Sequence, residues 1–172
     1  MLVRRSGGVT TAGGVVGFVT GDKSGYRETA ITNCSNTGQV EGVSAGGLAG
    51  GWIVEADAIG VRMENSYNRG SASGSVVGGL LGVASLKGKT SVSTCYSTGS
   101  VVCEPTAGLP GPQGSRRGGL VGAVVDAADG EFMLKDSYIA AESFVTNANV
   151  DAAAKGTLVG WPKRGPNPRN SC

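Results

Sequence analysis

The residues of this chain best suited to chemistry are acidic side chains that follow its glycine-rich segments. They are Asp22, Glu55, Asp57, Asp126, Asp129 and Glu131. If the segments that carry them align, the carboxylates would line one edge, where they could bind Ca²⁺ or act as a pair in glycoside cleavage. Lys87 and Lys89 occupy the same region of the third copy and break the row. We therefore favour solvated loop charges over a catalytic or metal-binding site.

The composition excludes several other chemistries. The chain has no histidine, which removes the commonest general base and the commonest transition-metal ligand. A Ser-His-Asp or Cys-His nucleophile cannot form within it. Cys34, Cys95, Cys103 and Cys172 lack the C-x-x-C spacing of a zinc site. If the chain is oxidised, Cys95 with Cys103 is the expected local disulfide. We assign no catalytic, cofactor-binding or metal-binding residue and no cofactor, and we do not expect an enzyme.

Charge is sparse, with 16% charged residues and a formal net charge of +2. The only basic pairs are Arg4-Arg5, Arg116-Arg117 and Lys163-Arg164. We interpret them as solvated loop and tail charges and expect no nucleic-acid partner. No stretch approaches 18 apolar residues, so no membrane span is predicted. The segment 1–8 lacks the hydrophobic core of a signal peptide, and we expect the chain to be a fragment of a longer protein.

A glycine motif returns five times along the chain, at intervals of roughly 30 to 40 residues. Its copies resemble Gly-Gly-Leu-Val-Gly and begin at Gly13, Gly46, Gly78, Gly118 and Gly156. A phosphate-binding loop would need Gly-Lys-Ser/Thr opening a helix, and no copy has it. Self-similarity at such a period indicates a repeat architecture. The glycines would let the chain turn tightly and let its layers approach closely.

A second element recurs between the glycine motifs. Its copies run over 31–38, 63–70, 92–99 and 134–141, each opening on a large apolar residue, with Asn, Thr or Asp third and Cys or Ser fourth. A shorter third element often follows. Short elements separated by Gly, Ser, Asn and Thr are typical of strands and turns. We predict an all-β fold, a β-helix or β-solenoid of four to five coils with about three short strands per coil.

Stacking of the coils would place equivalent residues over one another. We expect two aliphatic columns to face inward: Val15, Leu48, Leu80, Leu120 and Leu158, and Ile31, Met63, Val92 and Leu134. The next column, Val16, Ala49, Leu81, Val121 and Val159, is also apolar. Either the chain bends there and both columns face in, or an apolar stripe faces out and contacts another chain. We favour the bend.

These paired elements resemble the GLUG repeat. The segments 94–101 and 118–122 match it best, and the likeness extends over roughly residues 8 to 161. The resemblance implies a β-helix-like solenoid and a place in large bacterial surface or secreted proteins, and it supplies no catalytic residues. The last copy departs from the pattern, with Thr157 in place of glycine and Ile139-Ala140-Ala141 in place of the Thr-Gly turn. An atypical terminal repeat is expected of a capping coil.

The predicted organisation has three parts. Residues 1–12 form a lead-in, 13–161 form the solenoid, and 162–172 form a Pro-rich disordered tail. An insertion over 103–117 carries Pro105, Pro110 and Pro112. It should protrude as a loop, where recognition residues are often found, although a tolerated insertion is the simpler interpretation.

Function is predicted less sharply than fold. We expect a non-enzymatic structural or adhesive segment of a bacterial cell-surface or secreted protein, located outside the cell. Expected partners are host or matrix glycans or proteins, flanking coils, or further copies of the chain. The alternative is a carbohydrate-active β-helix enzyme, a lyase or hydrolase, that uses acidic loop residues. An ice-binding solenoid is disfavoured because the column Thr37, Arg69, Thr98 and Ala140 is irregular.

Overall fold

The computed structural model describes residues 11–21, 28–54, 60–104, 116–125, 131–139, 144–146, 155–156 and 158–160. These residues form 21 short strands and no helix. No helix in the described part of the chain is long and apolar enough to cross a membrane. The all-β prediction is therefore confirmed for these residues.

Five strands make one coil, and the same five positions recur in each coil. The first coil contains β1 (Thr11–Gly13), β2 (Val16–Gly21), β3 (Thr29–Thr32), β4 (Ser35–Asn36) and β5 (Val40–Glu41). The second contains β6 (Ser44–Gly46), β7 (Ala49–Val54), β8 (Val61–Glu64), β9 (Tyr67–Asn68) and β10 (Ala72–Gly74). The third contains β11 (Val76–Gly78), β12 (Leu81–Leu86), β13 (Lys89–Ser93), β14 (Tyr96–Ser97) and β15 (Val101–Cys103). The fourth contains β16 (Arg116–Gly118), β17 (Val121–Val125), β18 (Glu131–Lys135), β19 (Tyr138–Ile139) and β20 (Phe144–Thr146), and β21 (Lys155–Gly156) opens a fifth.

Equivalent strands of successive coils pair in parallel and in register, giving five sheets. For example, Ile31 lies opposite Met63, and Val92 lies opposite both Met63 and Leu134. This is the predicted β-solenoid, with four coils and the start of a fifth. The strand count per coil is five rather than about three, because the Gly-Gly pair and the Asn/Thr/Asp position each interrupt what the sequence presents as one element.

The main core consists of the predicted aliphatic columns. Leu48, Leu80 and Leu120 are fully buried, whereas Val15, in the first coil, is 46% exposed. Ile31, Met63 and Val92 are buried as predicted. Ala49, Leu81 and Val121 are also buried, so the chain bends and both neighbouring columns face inward. Of the residues that the structure describes, Trp52 is the largest fully buried side chain, and it lies beside Val19 and Ala84 in the adjacent coils.

The bend depends on a hydrogen-bond pattern that repeats at the leucine of each glycine motif. The amides of Leu48 and Ala49 both donate to the carbonyl oxygen of Leu80, at 2.9 Å each. Successive amides can share one acceptor only if the chain turns there, so both side chains point into the core. The carbonyls of Leu48, Leu120 and Leu158 accept two amides in the same way.

The motif glycines are required for space. A Cβ on Gly46 would overlap the carbonyl oxygen of Ala49, and a Cβ on Gly47 would overlap the side-chain amide of Asn68 and the carbonyl oxygen of Gly79. The predicted close approach of neighbouring coils at the glycines is thus confirmed. Among the described glycines, the left-handed backbone region is occupied only by Gly60, with a φ of 131°, so the motif glycines do not act through φ.

A smaller second core lies on the other side of the coil. It contains Val40, Ala45, Ala72, Val77, Val101 and Cys103 among its members. Arg116 and Arg117 lie in β16 and are only 9% and 4% exposed, so the prediction of solvated loop charges is wrong for this pair. Arg116 lies opposite Val76 and Arg117 lies opposite Val77 of the third coil, and burial lowers the pKa of both guanidinium groups.

Candidate functional site

Most of the predicted acidic row lies outside the described part of the chain. Five of its members lie outside the described residues: Asp22, Glu55, Asp57, Asp126 and Asp129. Glu131 is the first residue of β18, and its carboxylate lies 4.0 Å from the Lys89 ammonium, with both side chains largely exposed. Among the described residues, no group of three or more His, Cys, Asp or Glu side chains is placed to hold a metal ion.

Other carboxylates near Glu131 are also paired with cations. A shallow pocket of about 290 Å³ lies between Glu28, Lys89 and Glu131. Beside it, the Arg62 guanidinium contacts Glu28 at 2.7 Å and Glu64 at 2.5 Å. Glu28, Glu64 and Glu131 are thus ion-pair partners of Arg62 and Lys89.

The three described cysteines, Cys34, Cys95 and Cys103, form no disulfide. Cys172 lies outside the described residues. Cys95 belongs to the main core and Cys103 to the second core, so the expected Cys95–Cys103 disulfide is wrong: the two thiols lie in separate apolar clusters. Burial raises the pKa of the Cys95 thiol. It therefore stays protonated and unreactive at neutral pH.

Three tyrosines, Tyr67, Tyr96 and Tyr138, stack in a column that was not predicted from the sequence. We call this column the tyrosine ladder. The ring centroids of Tyr67 and Tyr96 lie 5.0 Å apart with 4° between the planes. Those of Tyr96 and Tyr138 lie 5.1 Å apart with 7° between the planes. Tyr67 and Tyr96 are half-buried, and Tyr138 is 57% exposed. The ladder therefore runs along the solvent-facing side of three coils.

A left-handed residue sets the direction of each tyrosine. The third residue of the element has a φ of 54° at Asn33, 49° at Asn65, 52° at Thr94 and 47° at Asp136. Asn and Asp tolerate this backbone region better than other non-glycine residues. The sharp turn that results directs the next side chain into the coil and the tyrosine after it out to the surface. The Asn/Thr/Asp pattern is the sequence signal for this turn.

The fourth residue of the element, Cys or Ser, stabilises this turn through hydrogen bonds. The Ser66 hydroxyl donates to the Glu64 carbonyl at 2.7 Å and accepts the Cys34 amide at 3.1 Å. The Cys95 thiol donates to the Ser93 carbonyl at 3.1 Å, and its amide donates to the Ser137 hydroxyl at 3.2 Å. Cys and Ser are thus interchangeable hydrogen-bond donors inside the coil. Their bonds hold the backbone from which the tyrosines project.

Arg69 lies against the tyrosine ladder and adds a positive charge to it. Its guanidinium carbon lies 5.1 Å from the centre of the Tyr67 ring, within the range of a cation–π contact. Its Nη2 donates to the Tyr96 hydroxyl at 3.4 Å. That hydrogen bond raises the pKa of Arg69, which is fully exposed. Arg69 therefore presents a permanent positive charge beside two aromatic rings.

The tyrosine ladder has the residue composition of a binding surface. Tyrosine and arginine combine apolar area with hydrogen-bonding groups and are enriched at recognition surfaces. The ladder could have been found from the sequence, since the same residue type occupies the fifth position of three copies of the second element. The exposed column that follows, Thr37, Arg69 and Thr98, is irregular as expected, and Ala140 lies outside the described residues.

The family model described as "The GLUG motif" matches residues 8–41. The match covers the first coil, and the later coils repeat its strand positions in register. No curated protein and no solved structure matches the chain.

Proposed function

We propose that this GLUG-repeat protein is a non-enzymatic β-solenoid segment with a structural and adhesive role. The observation that carries the proposal is the tyrosine ladder, a row of stacked rings on coils whose strands pair in register. The solenoid holds Tyr67, Tyr96 and Tyr138 in a fixed row before any partner arrives. A preformed row loses little side-chain entropy on binding, which favours affinity.

The proposed partner is a glycan or matrix protein outside the cell. The ladder offers aromatic edges, phenolic hydroxyls and the Arg69 cation, groups that contact hydroxyl-rich or acidic surfaces without reacting with them. The extracellular location is supported by the GLUG motif, since the resemblance to that repeat implies a bacterial surface or secreted protein. A segment of this kind would act as a stiff spacer that displays one face.

A combined binding and turnover assay tests the proposal. The full chain is applied to immobilised polysaccharides and matrix proteins, and the release of reducing ends is followed in parallel. Binding without release of reducing ends supports the adhesive role. Turnover of any polysaccharide would contradict it and favour the carbohydrate-active alternative. Loss of that turnover in Asp126→Asn or Asp129→Asn would assign it to the acidic loop residues.

A further inference from the structure

We propose that the surface around the tyrosine ladder binds an acidic linear polysaccharide, with Arg69 taking its carboxylate or sulfate group. The inference rests on the proposed adhesive function and specifies the class of ligand. It is carried by the charge on this surface, by the side chains beside the ladder and by the shape of the row. This surface, the ladder face, comprises the ladder and the exposed turn residues on its two sides: Asn33, Asn65, Thr94 and Asp136, and Thr37, Arg69 and Thr98.

The charge of Arg69 is not neutralised by any described carboxylate. Its described contacts are with the tyrosines Tyr67 and Tyr96. The other cations of the neighbouring strands β8, β13 and β18 each have a carboxylate within 4.0 Å: Arg62 has Glu28 and Glu64, Lys89 has Glu131, and Lys135 has Asp136. The unbalanced charge among the described residues of the ladder face is therefore positive, and the complementary ligand is an anion.

Two rungs of the ladder hold the Arg69 guanidinium in place. Its carbon lies 5.1 Å from the centre of the Tyr67 ring, and its Nη2 donates to the Tyr96 hydroxyl at 3.4 Å. A guanidinium carries several N–H donors in one plane, and the others donate to no described residue. These donors form a rigid fork that matches two oxygens of a carboxylate or sulfate group. Arg69 is thus oriented for an anion before the anion binds.

The side chains around Arg69 are neutral hydrogen-bonding groups. Thr37 and Thr98 occupy the equivalent position in the coils on either side, and Asn65 and Thr94 lie across the ladder. Hydroxyl and amide groups both donate and accept hydrogen bonds, as the hydroxyl groups of sugars do. The described residues of the ladder face include no aliphatic side chain, whereas the centre of a protein–protein interface is apolar. This composition favours a polyhydroxyl ligand over a protein.

The shape of the ladder suits a linear chain. Its ring centroids are spaced 5.0 and 5.1 Å apart, and an extended polysaccharide advances by a similar length with each sugar ring. The rings stack with only 4° and 7° between their planes, so their outward edges form a level row. A polysaccharide along this row repeats the same contact in successive coils, which a compact ligand cannot do.

Matched charged and neutral polysaccharides test the proposal. The full chain is titrated with polygalacturonate and its methyl ester, and with dextran sulfate and dextran. Each pair keeps the sugar backbone and removes the anion, and the two pairs separate carboxylate from sulfate. The charged member of at least one pair should bind at least about fivefold more tightly than the neutral member, the size expected for an exposed charged hydrogen bond. Added salt should weaken this binding, because exposed charges are screened.

The variant Arg69→Gln assigns the effect to one residue. It should lower the affinity for the charged polysaccharide about tenfold and leave the unfolding midpoint nearly unchanged, because Arg69 is exposed. Lys89→Gln is the matched control, since it removes the same charge from an exposed side chain that is paired with Glu131 outside the ladder face. This control should bind like the parent. Equal losses in the two variants would overturn the assignment to Arg69.

The failure of this inference can be told apart from the failure of the adhesive function. Equal binding of charged and neutral polysaccharides would overturn the acidic ligand and leave the adhesive role standing. Binding to matrix proteins without binding to polygalacturonate or dextran sulfate would have the same meaning. A chain that binds none of these ligands would contradict both.

Discussion

The side-chain amide of Asn36 donates to the side-chain oxygen of Asn68, one coil away, at 2.9 Å. Each asparagine also holds its own turn: Asn68 donates to the Gly70 carbonyl at 2.8 Å and accepts the Gly70 amide at 3.1 Å. A fully buried amide in this position ties the turn of one coil to the turn of the next. It lies directly beneath Gly47, so the asparagine and the glycine motif form one packing unit.

Asn68→Ala should lower the free energy of unfolding by about 3 kcal/mol, because buried donors and acceptors in two coils lose their partner. Thr98→Ala, at an exposed turn position one coil on, should cost only a few tenths of a kcal/mol. Urea unfolding of both variants checks the difference. Equal effects would contradict the assignment of Asn68 as a link between coils.

Gly47→Ala should also cost about 3 kcal/mol, because the added methyl group meets the Asn68 amide and the Gly79 carbonyl and the core must shift to admit it. Gly17→Ala is the matched control, because the nearest described atom to the added methyl group is the Thr11 carbonyl oxygen, at 3.2 Å. The same urea titration applies. A mild Gly47→Ala would show that the glycine motif is not held by close packing.

Thr94→Asn should stabilise the protein by about 1 kcal/mol, since a β-branched residue with a φ of 52° is replaced by one that tolerates the left-handed region. The reverse exchange at the equivalent site, Asn65→Thr, should destabilise it by a similar amount. Thermal unfolding of the pair provides the measurement. A loss of stability in Thr94→Asn would mean that the threonine makes a compensating contact.

Stability should fall at alkaline pH through Cys95. Burial raises the pKa of this thiol in the folded protein, whereas in the unfolded chain it ionises near its usual pKa of about 8.5. The contribution is fully present below that pH and is lost as the pH rises through the folded pKa. Cys95→Ser keeps a hydroxyl in a column that already contains Ser66 and Ser137. The variant should lose less stability than the parent between pH 7 and pH 10, and equal losses would contradict the role of Cys95.

The stacked architecture could be predicted because the coils of a solenoid repeat the same residue types at the same positions. Leu48, Leu80 and Leu120 recur at one position of a glycine motif, so their inward direction follows from the sequence. The neighbouring column of Ala49 and Leu81 is also apolar, which favours the bend that buries both columns. The five-strand division was not predicted, because the left-handed turn at Asn65 and its equivalents falls inside what the sequence presents as one element.

Features that depend on the contact of two distant segments were harder to predict. Arg116 and Arg117 end the predicted Pro-rich insertion and resemble loop charges, yet they lie in β16, in register with Val76 and Val77, and are buried. The Cys95–Cys103 pair is close in sequence, but the intervening strands place the two thiols in different cores. The recurrence of Tyr67, Tyr96 and Tyr138 is visible in the sequence. Only the parallel register of their strands shows that the rings stack.

The most direct test of the account is the binding of ladder variants to a glycan or matrix ligand of the full chain. Tyr138→Ser removes the most exposed ring, and Met133→Ser removes an apolar side chain that is 50% exposed on β18, outside the ladder. The account predicts that Tyr138→Ser weakens binding at least tenfold, with the unfolding midpoint kept above the assay temperature, and that Met133→Ser binds like the parent. Unchanged binding by Tyr138→Ser, or an equal loss in both variants, would contradict the ladder as the adhesive surface.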